Sequence, residues 1–240
     1  MTDTKRPPIP LERLPVDQML RVVEPFTSCA EAQLERISRE LVRIRKGARN
    51  TLMRDGQAGD GLYVLLRGRV NLVRTADGGR DLILASLGPG EVFGEASVVE
   101  NAPASTTAVS ATPVELARVP ADLMREILRT DATVALRLMQ IMTRRLRDVE
   151  SVASGLALYD VEERLRRTLS QLARRQGRPE PNSAGWVLAP VPTQSELARM
   201  VGSCRETVSR TLSALAREGH LSASGRRMFL KNSFMSPMSL

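Results

Sequence analysis

The sequence predicts an α+β fold: an N-terminal all-β unit, a long helix, and a C-terminal pair of short helices followed by a small hairpin. Three observations carry this reading. Ten of the sixteen glycines fall between Gly47 and Gly94, spaced among short apolar runs, which is the texture of a β-sandwich or small barrel. Beyond Asp131 the apolar spacing lengthens to alternating steps of three and four residues, a helical seam. From Pro192 two helix-length stretches flank Gly202, the arrangement of a helix-turn-helix.

Taken in order, residues 1–15 are Pro-rich and polar and are expected to be mobile. From Val16 to Leu41 the apolar residues Leu20, Val23, Phe26, Leu34 and Ile37 recur at three- and four-residue steps. That spacing predicts two short helices, with Asp17 and Ser28 as their caps. Strands follow at Leu62–Leu66, Val70–Val73, Leu82–Leu84, Thr107–Val109 and Val114–Ala117, with turns at Asp60-Gly61 and Gly78-Gly79. The first unit therefore spans 16–120. Aromatic residues are only 3% of the chain, so aliphatic side chains must fill its core.

Residues 121–158 hold a short helix and a long one. Met139, Met142, Leu146, Val149, Ala153 and Leu156 follow a 3,4,3,4,3 spacing, while Arg144, Arg145, Arg147, Asp148 and Glu150 occupy the other faces. A narrow stripe of this period is the seam of a two-helix coiled coil, hence a homodimer. The alternative is an amphipathic helix lying on its own β-unit, whose stripe is usually wider.

Residues 159–233 form the last domain, with 234–240 as a tail. A helix over 161–177 is followed by a loop over 178–185, then by an expected hairpin around Trp186–Val191 with Trp186 as a core anchor. Thr193 and Glu196 have capping-box spacing. Leu197, Ala198 and Val201 give the buried face of one helix, and Val208, Leu212 and Leu215 that of the next. The second helix then presents Arg205, Glu206, Ser209 and Arg210 in its first two turns. Arginine donates two hydrogen bonds to guanine and glutamate accepts from cytosine, so these four are the candidate base readers. Candidate phosphate contacts are Thr193, Gln194, Cys204 and Thr207 near the helix starts, and Ser224, Arg226 and Arg227 on a β-hairpin wing. Cys204 at a helix start is also a candidate oxidation switch, against the plainer reading of a small residue near the DNA backbone.

Charge agrees with this placement. Of the formal +8, residues 161–240 carry +7 (13 Lys/Arg against 6 Asp/Glu) and residues 1–160 carry +1. A polyanion partner for the C-terminal third follows. Double-stranded DNA is the main reading, and a basic module contacting RNA or acidic proteins without sequence preference is the second. Enzyme classes lack support. One histidine, His220, and two cysteines 175 positions apart exclude a metal quartet and a Ser-His-Asp triad, and no lysine-bearing phosphate loop is present. No apolar run is long enough to span a bilayer, and a cytoplasmic protein is expected.

With these pieces in order the chain resembles the Crp/Fnr family of bacterial transcription regulators over residues 20–232. The match is strongest at Val201-Gly202 and at Arg205-Glu206-Thr207-Val208-Ser209-Arg210. The resemblance implies a jelly-roll-like β-roll sensor domain of the cyclic-nucleotide-binding type, a dimerisation helix and a winged helix-turn-helix domain. It also implies a palindromic site with TGTGA-like half-sites, and RNA polymerase as a partner. Ser209 departs toward the Fnr-like branch. The segment Gly90–Glu95 resembles the start of the family's phosphate-binding cassette, so the resemblance assigns a nucleotide effector pocket to Gly94, Glu95 and Ala96. The cassette's arginine–serine pair aligns with Ser105 and Thr106, and the purine-contacting Thr-Ser pair with Val149 and Glu150. A buried phosphate without its cation is costly. Cyclic AMP in the usual mode is therefore disfavoured, leaving DNA binding without a ligand or another effector such as a cyclic dinucleotide. The iron–sulfur and haem branches are disfavoured by a single N-terminal cysteine and the absence of a β-domain histidine.

Overall fold

The computed structural model describes residues 10–180 and 184–235. The chain divides into two compact units, one holding residues up to Arg74 with Leu84–Asp148, the other Thr75–Ile83 with Val149 onward.

In the first unit, helices α1 (Val16–Val22) and α2 (Glu31–Glu40) precede strands β1 (Val42–Lys46), β2 (Thr51–Met53), β3 (Gly61–Arg67), β4 (Val70–Thr75), β5 (Asp81–Leu87) and β6 (Val92–Phe93). The short helix α3 (Glu95–Val99), strands β7 (Thr107–Ser110) and β8 (Val114–Pro120), and helix α4 (Ala121–Thr130) follow. The strands form two four-stranded sheets, β1-β8-β3-β6 and β2-β7-β4-β5. Alternation decides what each face buries. Tyr63 and Leu65 of β3 join Leu72, Leu87, Phe93, Ala108 and Leu116 in a core between the sheets. Leu62, Val64 and Leu66 point the other way, into a second core with Leu20, Phe26, Ile37, Met124 and Ile127 of the helical layer. β3 is thus buried on both faces, which is why its six residues Gly61–Leu66 lack polar alternation.

Three expectations need correction here. Residues 1–9 lie outside the described residues, but the rest of the segment expected to be mobile is packed. Leu11–Arg13 form a 3₁₀ turn, and Leu11 and Leu14 are buried in the helical core. Spaced three apart, both leucines face the same way. Asp17 and Ser28 do not cap. The N-cap positions are Pro15 and Ala30, and the Ala30 N–H donates to Asp131 Oδ2 at 3.2 Å. Asp131 in turn accepts from the N–H groups of Thr133 and Val134 and opens the long helix α5 (Ala132–Leu158).

The second unit contains helix α6 (Val161–Gln176), strands β9 (Arg178–Pro179) and β10 (Gly185–Leu188), helices α7 (Gln194–Val201) and α8 (Arg205–Arg217), the wing strands β11 (Leu221–Ser224) and β12 (Arg227–Lys231), and the short α9 (Asn232–Met235). Its sheet runs β11-β12-β10-β9. The loop expected over 178–185 therefore starts as a strand, and residues 181–183 lie outside the described ones. Instead of hairpinning with Val191, β10 pairs with β12 and β9. Trp186 is only half-buried, the anchoring role falling to Val187, Leu188, Met228 and Leu230. Of the expected tail, Phe234 and Met235 are buried, and residues 236–240 lie outside the described ones.

Candidate nucleic-acid interface and effector pocket

The helix-turn-helix is held by local geometry. Thr193 Oγ1 accepts from the Glu196 N–H at 3.2 Å while Glu196 Oε2 accepts from the Thr193 N–H at 2.8 Å, a complete capping box. Gly202 closes α7 in the left-handed region at φ 61°, where glycine carries no Cβ penalty. Cys204 then stands as N-cap of α8. Val208 and Leu215 are fully buried and Leu212 half-buried beneath the helix.

On the opposite face Arg205, Glu206 and Arg210 are exposed, with Ser209 half-buried between them. Positions i, i+1, i+4 and i+5 share one helix face, so the four expected base readers form a single patch. Thr207 faces sideways, its hydroxyl 3.1 Å from Cys204 Sγ and 3.4 Å from Arg210 Nη2. The Thr207 side chain, then its backbone N–H, hold the Cys204 thiol below its usual value. The Glu206 carboxyl is held below its usual range by its own backbone N–H and then by Cys204.

The expected phosphate contacts come from the starts of α7 and α8 and from the wing. Thr193 is exposed and Gln194 half-exposed at the start of α7. Ser224 and Arg227 pair across the wing, and the turn between them uses Gly225 at φ 56° and the exposed Arg226. The Arg226 carbonyl accepts from the Val191 N–H at 2.9 Å, tying the wing tip to the chain entering α7.

The cassette is assembled differently. Gly94 adopts φ 88° as N-cap of α3, and a Cβ there would lie 2.5 Å from the Gly61 carbonyl and 3.2 Å from the Tyr63 ring. Only glycine fits. Glu95 begins α3, and Arg145 of α5 reaches it with Nη1 at 2.5 Å from Oε1, while Nη2 donates to the Val92 carbonyl at 2.6 Å. Both side chains are more than four-fifths buried. Among the described residues Glu95 Oε2 is buried without a hydrogen-bond donor. Ala96 is half-buried beside it.

Sequence reasoning missed Arg145, and it missed a second cation. Ser105 is exposed and Thr106 half-buried, and the Ser105 carbonyl accepts from Arg74 Nη1 at 2.5 Å. Arg74 also pairs with Asp55 at 3.2 Å. The cassette thus meets two arginines from outside its own segment, Arg74 at the Ser105 carbonyl and Arg145 at Glu95. A signal for Arg145 was present, since it stands one helical turn before Val149 on the same face. Val149 itself is half-buried and Glu150 exposed.

Along α5, Val134 and Leu138 are buried in the core of the first unit, and Met142 leans against it. The expected seam residues Met139, Leu146 and Leu156 are 55%, 58% and 42% exposed, Ala153 is exposed, and Val149 is half-buried. Among the described residues Met139 and Leu146 thus stand largely exposed on α5, whereas Leu156 lies by the Gly202 turn, where an added Cβ would come within 2.7 Å of its Cδ2. Among the described residues no cluster of metal-ligating side chains occurs, and no helix is long and apolar enough to cross a membrane.

These two regions coincide with two family models, the cyclic nucleotide-binding domain over residues 42–131 and the Crp-like helix-turn-helix domain over 163–233. A CRP-like cAMP-activated global transcriptional regulator of Mycobacterium tuberculosis is 28% identical over 218 residues, covering 91% of this chain and 96% of the relative. The CRP-like protein Clp of Xanthomonas euvesicatoria is 30% identical over 221 residues, covering 90% and 95%. Among solved structures, the c-di-GMP-responsive global regulator CLP of Xanthomonas campestris matches with TM-score 0.67 and 29% identity, covering 84% of this chain and 99% of that one. With a β-sheet unit carrying the cassette glycine, a long helix and a capped helix-turn-helix in this order, the chain belongs to the Crp/Fnr family of transcription regulators.

Proposed function

We propose that the chain is a homodimeric, sequence-specific DNA-binding regulator, with Arg205, Glu206, Ser209 and Arg210 of α8 reading bases in the major groove. The observation that carries this is the exposure of Arg205, Glu206 and Arg210 on one face of α8, which follows the capping-boxed α7 across the left-handed Gly202 turn. Thr193, Gln194, Cys204, Thr207, Ser224, Arg226 and Arg227 hold the phosphates on either side. The exposure of Met139 and Leu146 supports pairing of two α5 helices, with Met142, Val149, Ala153 and Leu156 completing the seam. Such a dimer sets two recognition helices about 34 Å apart on a palindromic site. TGTGA-like half-sites and recruitment of RNA polymerase belong to the same reading.

In this reading cyclic AMP in the usual mode is not the controlling effector. The cassette arginine and serine are replaced by Ser105 and Thr106, and Val149 and Glu150 lack the hydroxyl pair of the cyclic-AMP sensors. A cyclic dinucleotide is the favoured alternative effector. The similarity to a c-di-GMP-responsive relative supports the same choice. A second reading is cyclic-AMP control through an atypical cassette. It is favoured by the unpartnered Glu95 Oε2 above the Gly94 cradle, which suits a ribose hydroxyl, and by the similarity to a cAMP-activated relative.

Fluorescence anisotropy on a palindromic TGTGA probe tests both levels. Replacing Arg205 and Arg210 together by alanine is expected to weaken binding by about 2–6 kcal/mol, at about 1–3 kcal/mol per base contact. Unchanged affinity refutes the base-reading assignment, and a steep salt dependence without sequence preference favours the non-specific module. Calorimetry with cyclic AMP and cyclic di-GMP separates the effector readings. Micromolar cyclic-AMP binding that depends on Glu95 overturns the first.

A further inference from the structure

The second unit contains a cleft that neither the recognition helix nor the cassette accounts for. Its volume is about 440 Å³, within the roughly 300–1,000 Å³ of small-molecule sites. Helix α6 builds it. Leu165, Leu169, Leu172 and Ala173 are buried on one side of that helix. Residues 163, 167, 170 and 174, with 164, 171 and 175 beside them, form the other side and line the cleft. That face carries the arginines 164, 166, 167, 174 and 175 and a single carboxylate, Glu163.

Among the described residues Arg164 and Arg174 are held by carbonyls, whereas Arg166 and Arg167 face carboxylates. Arg166 pairs with Glu162 at 3.3 Å and lies over the Phe234 ring, and Arg167 pairs with Glu163 at 2.7 Å over the Tyr159 ring. Arg164 is held by carbonyls alone, those of Val201 at 2.8 Å and Tyr159 at 2.7 Å, and Arg174 by the Met235 carbonyl at 2.7 Å. Carbonyl acceptors orient a guanidinium without neutralising it. Glu163 Oε2 is meanwhile buried without a hydrogen bond. The cleft thus offers oriented positive charge together with one acceptor lacking a donor.

We propose that this cleft is a nucleotide site: the arginines of α6 hold the phosphates, and Glu163 Oε2 accepts from an amine or hydroxyl of the nucleoside. Arginine suits phosphate because its planar fork donates two hydrogen bonds to adjacent oxygens. The position also gives the site a consequence. Arg164 holds the last carbonyl of α7, at Val201, directly before the Gly202 turn and α8. A phosphate competing for Arg164 loosens that hold, so occupancy alters the placement of the recognition helix and the affinity for DNA. The site is separate from the cassette and stands whether or not the cassette binds an effector.

The test titrates ATP, GTP and sodium pyrophosphate into the full-length chain by calorimetry, and maps 8-azido-ATP photolabelling by peptide mass spectrometry. Either nucleotide is expected to bind, with labels on peptides from 151–175 and 200–201. Reversing charge at the exposed positions, Arg174→Glu and Arg175→Glu, is expected to weaken binding at least tenfold while circular dichroism stays that of the parent. Labels confined to 92–106 place the nucleotide in the cassette and overturn the proposal. Pyrophosphate binding as tightly as either nucleotide overturns the role of Glu163. No binding heat in the parent, with DNA affinity lost in Arg174→Glu, makes these arginines a DNA contact and overturns it as well.

Discussion

The recognition helix keeps its functional charges apart and in water, whereas the cassette pairs its charges and hides them. Arg205, Glu206 and Arg210 are exposed to water; the Arg210 contact to Thr207 is long at 3.4 Å, and Glu206 is held by its own backbone N–H and Cys204. Glu95 and Arg145 already hold each other, more than four-fifths buried. An effector entering the cassette must either use the remaining Oε2 or displace the pair. Under the proposed function the first surface meets DNA and discriminates by the geometry of its base contacts. The second sets a threshold that a ligand must overcome.

The comparison breaks most visibly if one half of the buried pair is removed. Arg145→Leu leaves a buried carboxylate without its cation, a loss of about 3–5 kcal/mol in stability. Adding Glu95→Leu to it is expected to recover most of that, because an apolar pair of similar volume replaces the ions. Chemical denaturation of the two variants measures both steps. Equal stability of Arg145→Leu and the parent would mean that the pair is solvated and that the contrast with α8 is false.

The same contrast explains what the sequence made legible. The capping box joins residues three apart, the Gly202 turn is set by one residue, and the base-reading patch follows from helical period alone. All of that is short-range. Glu95 and Arg145 stand fifty residues apart, and Arg74 lies in β4 while Ser105 precedes β7, so only the folded chain brings them together. The near-neutral net charge of the first 160 residues concealed both arginines, since each is balanced in sum by acids elsewhere. Leu11 and Leu14 were misread for a related reason. Proline and charge around them suggested a linker, but two leucines three apart are enough to dock a 3₁₀ turn on the core.

A smaller effect tests the local side. Thr193→Ala removes the acceptor for the Glu196 N–H and breaks the capping box, at a cost of about 0.5–2 kcal/mol. Because the remaining Glu196 bond still reaches the Thr193 backbone, α7 persists and the loss appears chiefly as weaker DNA affinity. Anisotropy and thermal unfolding of the same variant separate the two. A fall in melting temperature without any change in DNA affinity would detach the cap from the interface.

The finest probe of the contrast is the pair of cysteines, one in each unit. Burial, and then the nearby Asp131 carboxylate, push the Cys29 thiol up to about 11, whereas Cys204 is exposed and held below its usual value by Thr207. Only the thiolate reacts with an alkylating agent. Between pH 7 and 9 Cys204 therefore holds a larger thiolate fraction than Cys29, one thiol being lowered and the other raised from the usual value. Iodoacetamide is therefore expected to modify Cys204 selectively in the folded chain, with Cys29 reacting only toward pH 11 or after unfolding. Bound DNA is expected to slow the Cys204 reaction, because its thiol lies at the start of α8 beside Thr207. Peptide mass spectrometry of a pH series with and without the palindromic probe reads both outcomes. Protection of Cys204 absent at saturating DNA would remove it from the phosphate-contacting border while leaving the base readers in place.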